Sequence, residues 1–254
     1  MIAISRIKTL VYSGLMVALV FVTTFSIKVP VPFTQGYIHM GDSMIFVASI
    51  LFGWKVGALA GGVGSMLADI VGGYAGWAVP TLIIKSVMGI IVALVAAEYK
   101  KKKTAKGIIS LLSMGAWVAF GVTLNTILKS VLADSTNAQK LAGQLELSTV
   151  QELQSTAGGV STGIIIGISL IPVCMFLLWL FLRRKDSTMV TFSHLLGMTV
   201  AGMWMVAGYY FAERIMFGNW LIPIFALPMN ILQFVGGMII AFIIVTGLRK
   251  RKAL

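Results

Sequence analysis

Residues 37–94 read YIHMGDSMIFVASILFGWKVGALAGGVGSMLADIVGGYAGWAVPTLIIKSVMGIIVAL, and only Asp42, Lys55, Asp69 and Lys85 in that stretch carry a formal charge. Three apolar runs, residues 40–54, 56–73 and 80–98, are parted by Trp54-Lys55 and by Gly72-Gly73. A helix needs about 20 apolar residues to cross the hydrocarbon core of a bilayer. No strand-like alternation recurs at the spacing of an outer-membrane barrel, so the pattern predicts membrane helices. The run at 40–54 is short, and Trp54-Lys55 reads as a tight turn between two helices.

The same texture extends over the chain. Of 254 residues, 58% are hydrophobic and 11% charged, with a mean hydropathy of +0.97. Soluble domains are about 45–50% apolar and about 25% charged, so a soluble enzyme, a nucleic-acid binder and a disordered chain are all excluded. Further spans are expected at 10–27, 107–132, 160–182, 194–216 and 221–247, eight in all. Arg6 and Lys8 precede the first run as in a signal peptide, but no small-residue cleavage pattern follows, and we read a first transmembrane helix. Cys174, the one cysteine, lies in an apolar run and reads as a small buried hydrophobe.

The net charge of +12 sits in short basic clusters between spans. With the N-terminus inside, 15 of the 20 Lys and Arg fall on the cytoplasmic side: Arg6, Lys8, Lys55, Lys100 to Lys103, Lys106, Arg183 to Lys185 and Arg249 to Lys252. Only Lys28 and Lys140 fall in outer loops, with Arg214 at an outer helix end and Lys85 and Lys129 within spans. The positive-inside rule therefore predicts eight crossings with both termini cytoplasmic. The polar outer segment 134–158 admits two readings, disorder or one or two interfacial helices; Thr149 and Glu152 have capping-box spacing.

Ionisable side chains inside spans are costly and face cavities or partners. On this topology Asp69, Lys85, Tyr209, Glu213, Asn230 and Gln233, from four spans, share one level just below the outer surface. One reading is a pocket open to the outside. The other is structural: an Asp69–Lys85 ion pair, with Asn230 and Gln233 as interhelical ties. In the first outer loop (residues 28–39, KVPVPFTQGYIH) Pro30 and Pro32 favour extended backbone and Gly36 a turn. Phe33, Tyr37 and His39 there either cover a ligand or mark the membrane interface. His39 lacks a second ligand at metal-binding spacing, and His194 is expected on the opposite side.

Gly57, Gly61 and Ser65 form a small-residue stripe expected in internal helix packing, while Gly14 and Ala18 form a small pair on the first helix, suited to docking a partner. The chain has no phosphate-binding loop, nucleophile elbow or zinc motif. Neither enzymatic activity nor a cofactor or metal is expected. Uphill transport would then need an ion gradient or a separate ATPase, and the inverted halves common in gradient-driven carriers are not evident.

Several motifs in order carry a resemblance: His39-Met40-Gly41-Asp42, Leu67-Ala68-Asp69 with Gly72-Gly73-Tyr74, Pro80-Thr81, and Lys85 with Gly89. The later set is Met205-Val206-Ala207-Gly208-Tyr209 with Glu213, and Pro228-Met229-Asn230 with Gln233. Over residues 10–99 and 196–248 the chain resembles the substrate-binding S components of energy-coupling-factor (ECF) vitamin transporters, in the riboflavin-type branch that includes hydroxymethylpyrimidine and pyridoxine carriers. The resemblance implies a bacterial multi-pass cell-membrane protein that binds a small heteroaromatic vitamin or precursor from outside. Tyr37, Tyr74, Trp77 and Tyr209 would stack on the ring, and His39, Asp69, Lys85, Glu213, Asn230 and Gln233 would line the pocket. Partners would be a transmembrane T component, docked near Gly14 and Ala18, and two cytosolic ATPases, with toppling of the S component delivering the ligand. Family members usually have six helices. The expected architecture is thus an all-α polytopic membrane bundle forming one membrane domain, with an S-component-like core at 1–103 and 190–254 and an insertion at 104–189 that adds two spans. A stand-alone secondary transporter or membrane enzyme for a small polar solute is the alternative.

Overall fold

In the computed structural model, residues 6–34, 36–98, 103–182 and 192–250 are described. Lys100 to Lys102, Arg183 to Lys185, Arg251 and Lys252, which enter the charge argument, lie outside the described residues. The fold is an all-α bundle of α1 (Arg6–Ser26), α2 (Gly41–Phe52), α3 (Trp54–Val71), α4 (Ala78–Glu98), α5 (Lys103–Ala133), α6 (Ser135–Gln144), α7 (Val150–Leu182), α8 (Phe192–Phe217) and α9 (Leu227–Lys250). Two three-residue strands, β1 (Val29–Val31) and β2 (Gly36–Ile38), pair antiparallel between α1 and α2. Short 3₁₀ turns, Ala75–Trp77 and Ile222–Ala226, precede α4 and α9.

Among the described residues six helices are long and apolar enough to cross a membrane: those containing Arg6–Ser26, Ala75–Ala96, Ser110–Ala133, Val150–Cys174, Ser193–Phe217 and Ile222–Leu248. The third expected span, α3, and the second, α2, are not among the six, and the second is the shorter. Its 12 residues in α2 reach about 18 Å at 1.5 Å per residue, short of a hydrocarbon core of about 30 Å. Ile45, Phe46 and Ala48 of α2 are fully buried, so the protein interior rather than lipid surrounds this short helix. Gly53, at φ 87°, makes the break to α3 in one residue.

Helix α3 lies against α1, α2 and α4, and its small residues make that contact close. A Cβ on Gly61 would stand 2.6 Å from the Lys85 carbonyl oxygen on α4, and one on Gly89 of α4 would stand 2.4 Å from the Gly57 carbonyl oxygen. The Gly57–Gly61–Ser65 stripe is therefore internal packing, as expected. Gly14 differs: nothing approaches its Cβ position within 4 Å, and with Ala18 it is exposed on α1 among Ile7, Val11, Leu15 and Val22.

The outer segment 134–158 is helical rather than disordered. Asp134 caps α6 by accepting from the Thr136 and Asn137 amides. The Thr149–Glu152 spacing also caps a helix, with the Glu152 amide donating to Thr149 Oγ1 at 3.1 Å, while Glu152 Oε2 accepts from the amide of Ser148, one residue before the cap, at 2.9 Å. The cap opens the 33-residue α7, not a separate short turn. Helices α5 and α7 pack on each other, and both reach α8, with α7 also against α9. Trp117 of α5 donates to the Gly167 carbonyl of α7 at 3.2 Å and meets Phe234 of α9 edge-on.

Candidate functional site

The first outer loop folds as a hairpin over the ends of α3, α4, α8 and α9. Its turn falls at Phe33 (φ 69°), whereas Gly36 begins β2 opposite Val31. A left-handed conformation is unfavourable for a bulky residue, and here the Phe33 ring is held edge-on against Phe225, 5.6 Å between centroids. That contact lays the hairpin on the segment before α9.

Beneath the hairpin lies a cavity of about 410 Å³, its open mouth included, lined by Val31, Thr34, Gly36, Tyr37, His39, Asp69, Trp77, Thr81, Tyr209, Glu213, Asn230 and Gln233. The polar level expected from separate spans is thus one place. Tyr209 and Glu213, four apart on α8, share a helix face, as do Asn230 and Gln233 on α9. Asp69 comes from the last turn of α3, Trp77 from the 3₁₀ turn and Thr81 from the first turn of α4. Trp77 and Tyr209 face each other at 5.8 Å between centroids, and Thr81 Oγ1 lies 3.2 Å from the Tyr209 hydroxyl.

Eight of the ten expected ligand-binding residues line this cavity; Tyr74 and Lys85 do not. Tyr74 packs at 4.5 Å between centroids on Tyr37, at the rim. The Lys28 ammonium sits over the same rings, 5.3 Å from Tyr37 and 5.5 Å from Tyr74, and 4.2 Å from Phe25.

Lys85 is wholly buried and donates to Asp42 Oδ1 at 2.5 Å. The expected Asp69–Lys85 pair does not form: Asp69 Oδ1 accepts from the Tyr37 hydroxyl at 2.6 Å instead. Asp42 belonged to a motif in the sequence but not to the polar level, because it lies at the start of a short helix. Its position in the first turn of α2, where a helix dipole favours a carboxylate, was the available signal. The other Asp42 oxygen accepts from Gln233 Nε2 at 2.9 Å, and Gln233 Oε1 accepts from the His39 amide at 3.0 Å. Gln233 therefore joins α9, α2 and the hairpin, as a tie that also faces the cavity. Thr34 and Val31 are cavity residues that the sequence reading passed over, since each is unremarkable in a loop, while Thr81 stood in the Pro80-Thr81 motif but was not assigned to the pocket.

His39 is buried, and its Nδ1 accepts from the Gly41 amide at 3.0 Å, so the neutral ring carries its proton on Nε2. Burial, then the positive charge of Lys85, pushes its pKa down from 6.5 to about 3, with Lys28 acting in the same sense and Asp42 opposing. Burial and the bond to Asp69 push the Tyr37 hydroxyl up, leaving it a donor. Among the described residues no group of three or more His, Cys, Asp or Glu could hold a metal.

Three polar atoms of the cavity walls, Asp69 Oδ2, Glu213 Oε2 and Thr34 Oγ1, are buried with no hydrogen-bond partner in the protein. Each such atom costs about 1–3 kcal/mol until something pairs with it.

Residues 4–177 match the family model described as ECF-type riboflavin transporter, S component. That range includes α1 to α6 and most of α7, so it takes in much of segment 104–189; α8 and α9 follow it. Over 73 residues the chain is 52% identical to a Pyrococcus woesei protein described as "Uncharacterized protein in gap 3'region", which is 29% of this chain and 49% of that one. The chain thus spans about half the length of this curated relative. No solved structure matches.

Proposed function

The chain belongs to the family of ECF-type riboflavin transporter S components, and on that premise we propose which ligand class it captures and with which partners. Family membership and the apolar helices make it a multi-pass cell-membrane protein and the substrate-binding subunit of a vitamin transporter. The family is one of transporter components, not of enzymes. Our reading is that the cavity takes a small heteroaromatic vitamin or precursor, pyridoxine-, hydroxymethylpyrimidine- or riboflavin-like, from the outer face. The observation that carries it is the set of buried wall atoms without a protein partner, Asp69 Oδ2, Glu213 Oε2 and Thr34 Oγ1, between aromatic rings. Aromatic walls with a few convergent polar groups are the usual make-up of a small-molecule site. Tyr37, Trp77 and Tyr209 would flank the ring; His39, Asn230 and Gln233 would contact its edge.

Eight crossings, cytoplasmic termini and the 104–189 segment as an addition to a six-helix core belong to the same proposal. So does ATP-driven delivery by a T component and two ATPases, docked on the exposed α1 face around Gly14 and Ala18.

The test is purification in mild detergent, mass spectrometry of retained small molecules, and titration of riboflavin, pyridoxine and 4-amino-5-hydroxymethyl-2-methylpyrimidine followed by Trp77 fluorescence, with Trp77→Phe as control. A retained or titrating ring compound whose signal disappears in Trp77→Phe supports the proposal. No retained ligand and no titration by any of the three would overturn it. Uptake by vesicles containing this chain alone would transfer the function to a stand-alone carrier.

A further inference from the structure

The charge of the cavity is one-sided. Asp69 and Glu213 enter its wall from separate elements, the last turn of α3 and near the C-terminal end of α8, and are 4% and 3% exposed. Each keeps one oxygen with no partner in the protein. Among the described residues no Lys or Arg lines the cavity. The nearest buried cation, Lys85, is already neutralised by Asp42. Lys28 stands at the rim, held over the Phe25, Tyr37 and Tyr74 rings. With both of these ammonium groups set against Asp42, Asp69 and Glu213, one carboxylate remains uncompensated. A buried carboxyl group without a counter-charge either holds a proton or is met by a cation or strong donor, and ionised acceptors form the stronger hydrogen bonds.

We propose that the cavity selects a heteroaromatic compound bearing an amine, held by Asp69 Oδ2 and Glu213 Oε2, and rejects rings that carry a phosphate or carboxylate. This rests on the reading of the cavity as a substrate site and adds the charge class of the substrate. The amine, as an ammonium or an exocyclic NH₂, donates to both carboxylates while the ring lies against Trp77 and Tyr209. A phosphate would meet the same two oxygens with like charge, and the cavity wall offers no Lys or Arg to offset it. Placing like charges together in a site costs affinity and so discriminates between ligands of the same shape.

The experiment compares matched probes on the full-length protein in detergent: pyridoxamine against pyridoxine, 4-amino-5-hydroxymethyl-2-methylpyrimidine against its 4-oxo counterpart, and the 5′-phosphate of pyridoxine. Riboflavin is included as a neutral ring. The expected result is at least tenfold tighter binding of the amine member in whichever pair binds, with no binding of the phosphate. Asp69→Asn and Glu213→Gln should each bring the affinity ratio of the amine to the neutral member to within about twofold of unity. Size-exclusion profile and thermal unfolding confirm that the variants fold. A variant that fails this control is replaced by Asp69→Ser or Glu213→Met. Equal binding of amine and neutral members, binding of the phosphate, or binding of riboflavin alone would overturn the charge selection and leave the substrate-site reading intact. Binding of none of the probes would overturn both.

Discussion

Asp42 and Lys85 are each fully buried and each other's counter-charge. Removing one member of such a pair leaves an unpaired buried charge, at a cost of about 3–5 kcal/mol, whereas an apolar replacement of both is often close to neutral. Asp42→Leu or Lys85→Met alone should therefore lower the unfolding temperature in detergent by several degrees, and the double variant should recover most of the loss. Equal losses that simply add would show that the two groups act independently. His39 yields a pH signature. Its folded-state pKa, about 3, lies below the ordinary 6.5, so the unfolded chain binds the extra proton between those values. Stability should rise with pH from about 3 to 6.5, by at most about 1.4 kcal/mol per pH unit from this group, and gain nothing from it above that window. His39→Gln should flatten this part of the profile in a pH series of thermal unfolding.

Glycines on two helices meet opposite surroundings, and substitution should separate their roles. On α4 a Cβ at Gly89 runs into backbone on α3, so Gly89→Val should destabilise the bundle by at least about 1–3 kcal/mol, the usual cost of overpacking. On α1 a Cβ at Gly14 meets nothing. Gly14→Leu should leave unfolding unchanged yet weaken co-purification with a T component and ATPases, if that exposed face is the docking surface. Unchanged co-purification would move the docking site elsewhere. This contrast also marks what was readable beforehand. The stripe on α3 and the pair on α1 are both small-residue repeats in the sequence, and the functional distinction between them depends on which face meets another helix. The cap at Thr149 was legible because its two bonds are local. Its attachment to the long α7 was less so, since polar residues 150–158 continue a helix beyond the apolar run.

For the molecule as a whole, the charge distribution predicts which ends face the cytoplasm. In a Cys174→Ser background, Ser135→Cys on α6 should react with an impermeant maleimide added to intact cells, and Lys55→Cys at the start of α3 should react only after permeabilisation. The reverse pattern would invert the topology. The common level of Asp69, Tyr209, Glu213, Asn230 and Gln233 was legible from the sequence, because helix length and basic flanks set the depth of each residue along its own span. Their partners were not. Lys85 was open to pairing with Asp69 on depth alone, yet it meets Asp42, on a helix too short to be placed by length. Composition, hydropathy and spacing by themselves determined a membrane bundle of helices and a polar layer near one surface, since each follows from transfer of local segments into lipid. Only the tertiary structure decided that the hairpin closes over that layer, that Lys85 pairs with Asp42 just behind the Tyr209 ring of the cavity wall, and that Asp69 and Glu213 keep unpaired oxygens within it. Those outcomes depend on how helices distant in the chain rotate and cross, and the free energy of that packing is shared among contacts no single segment contains.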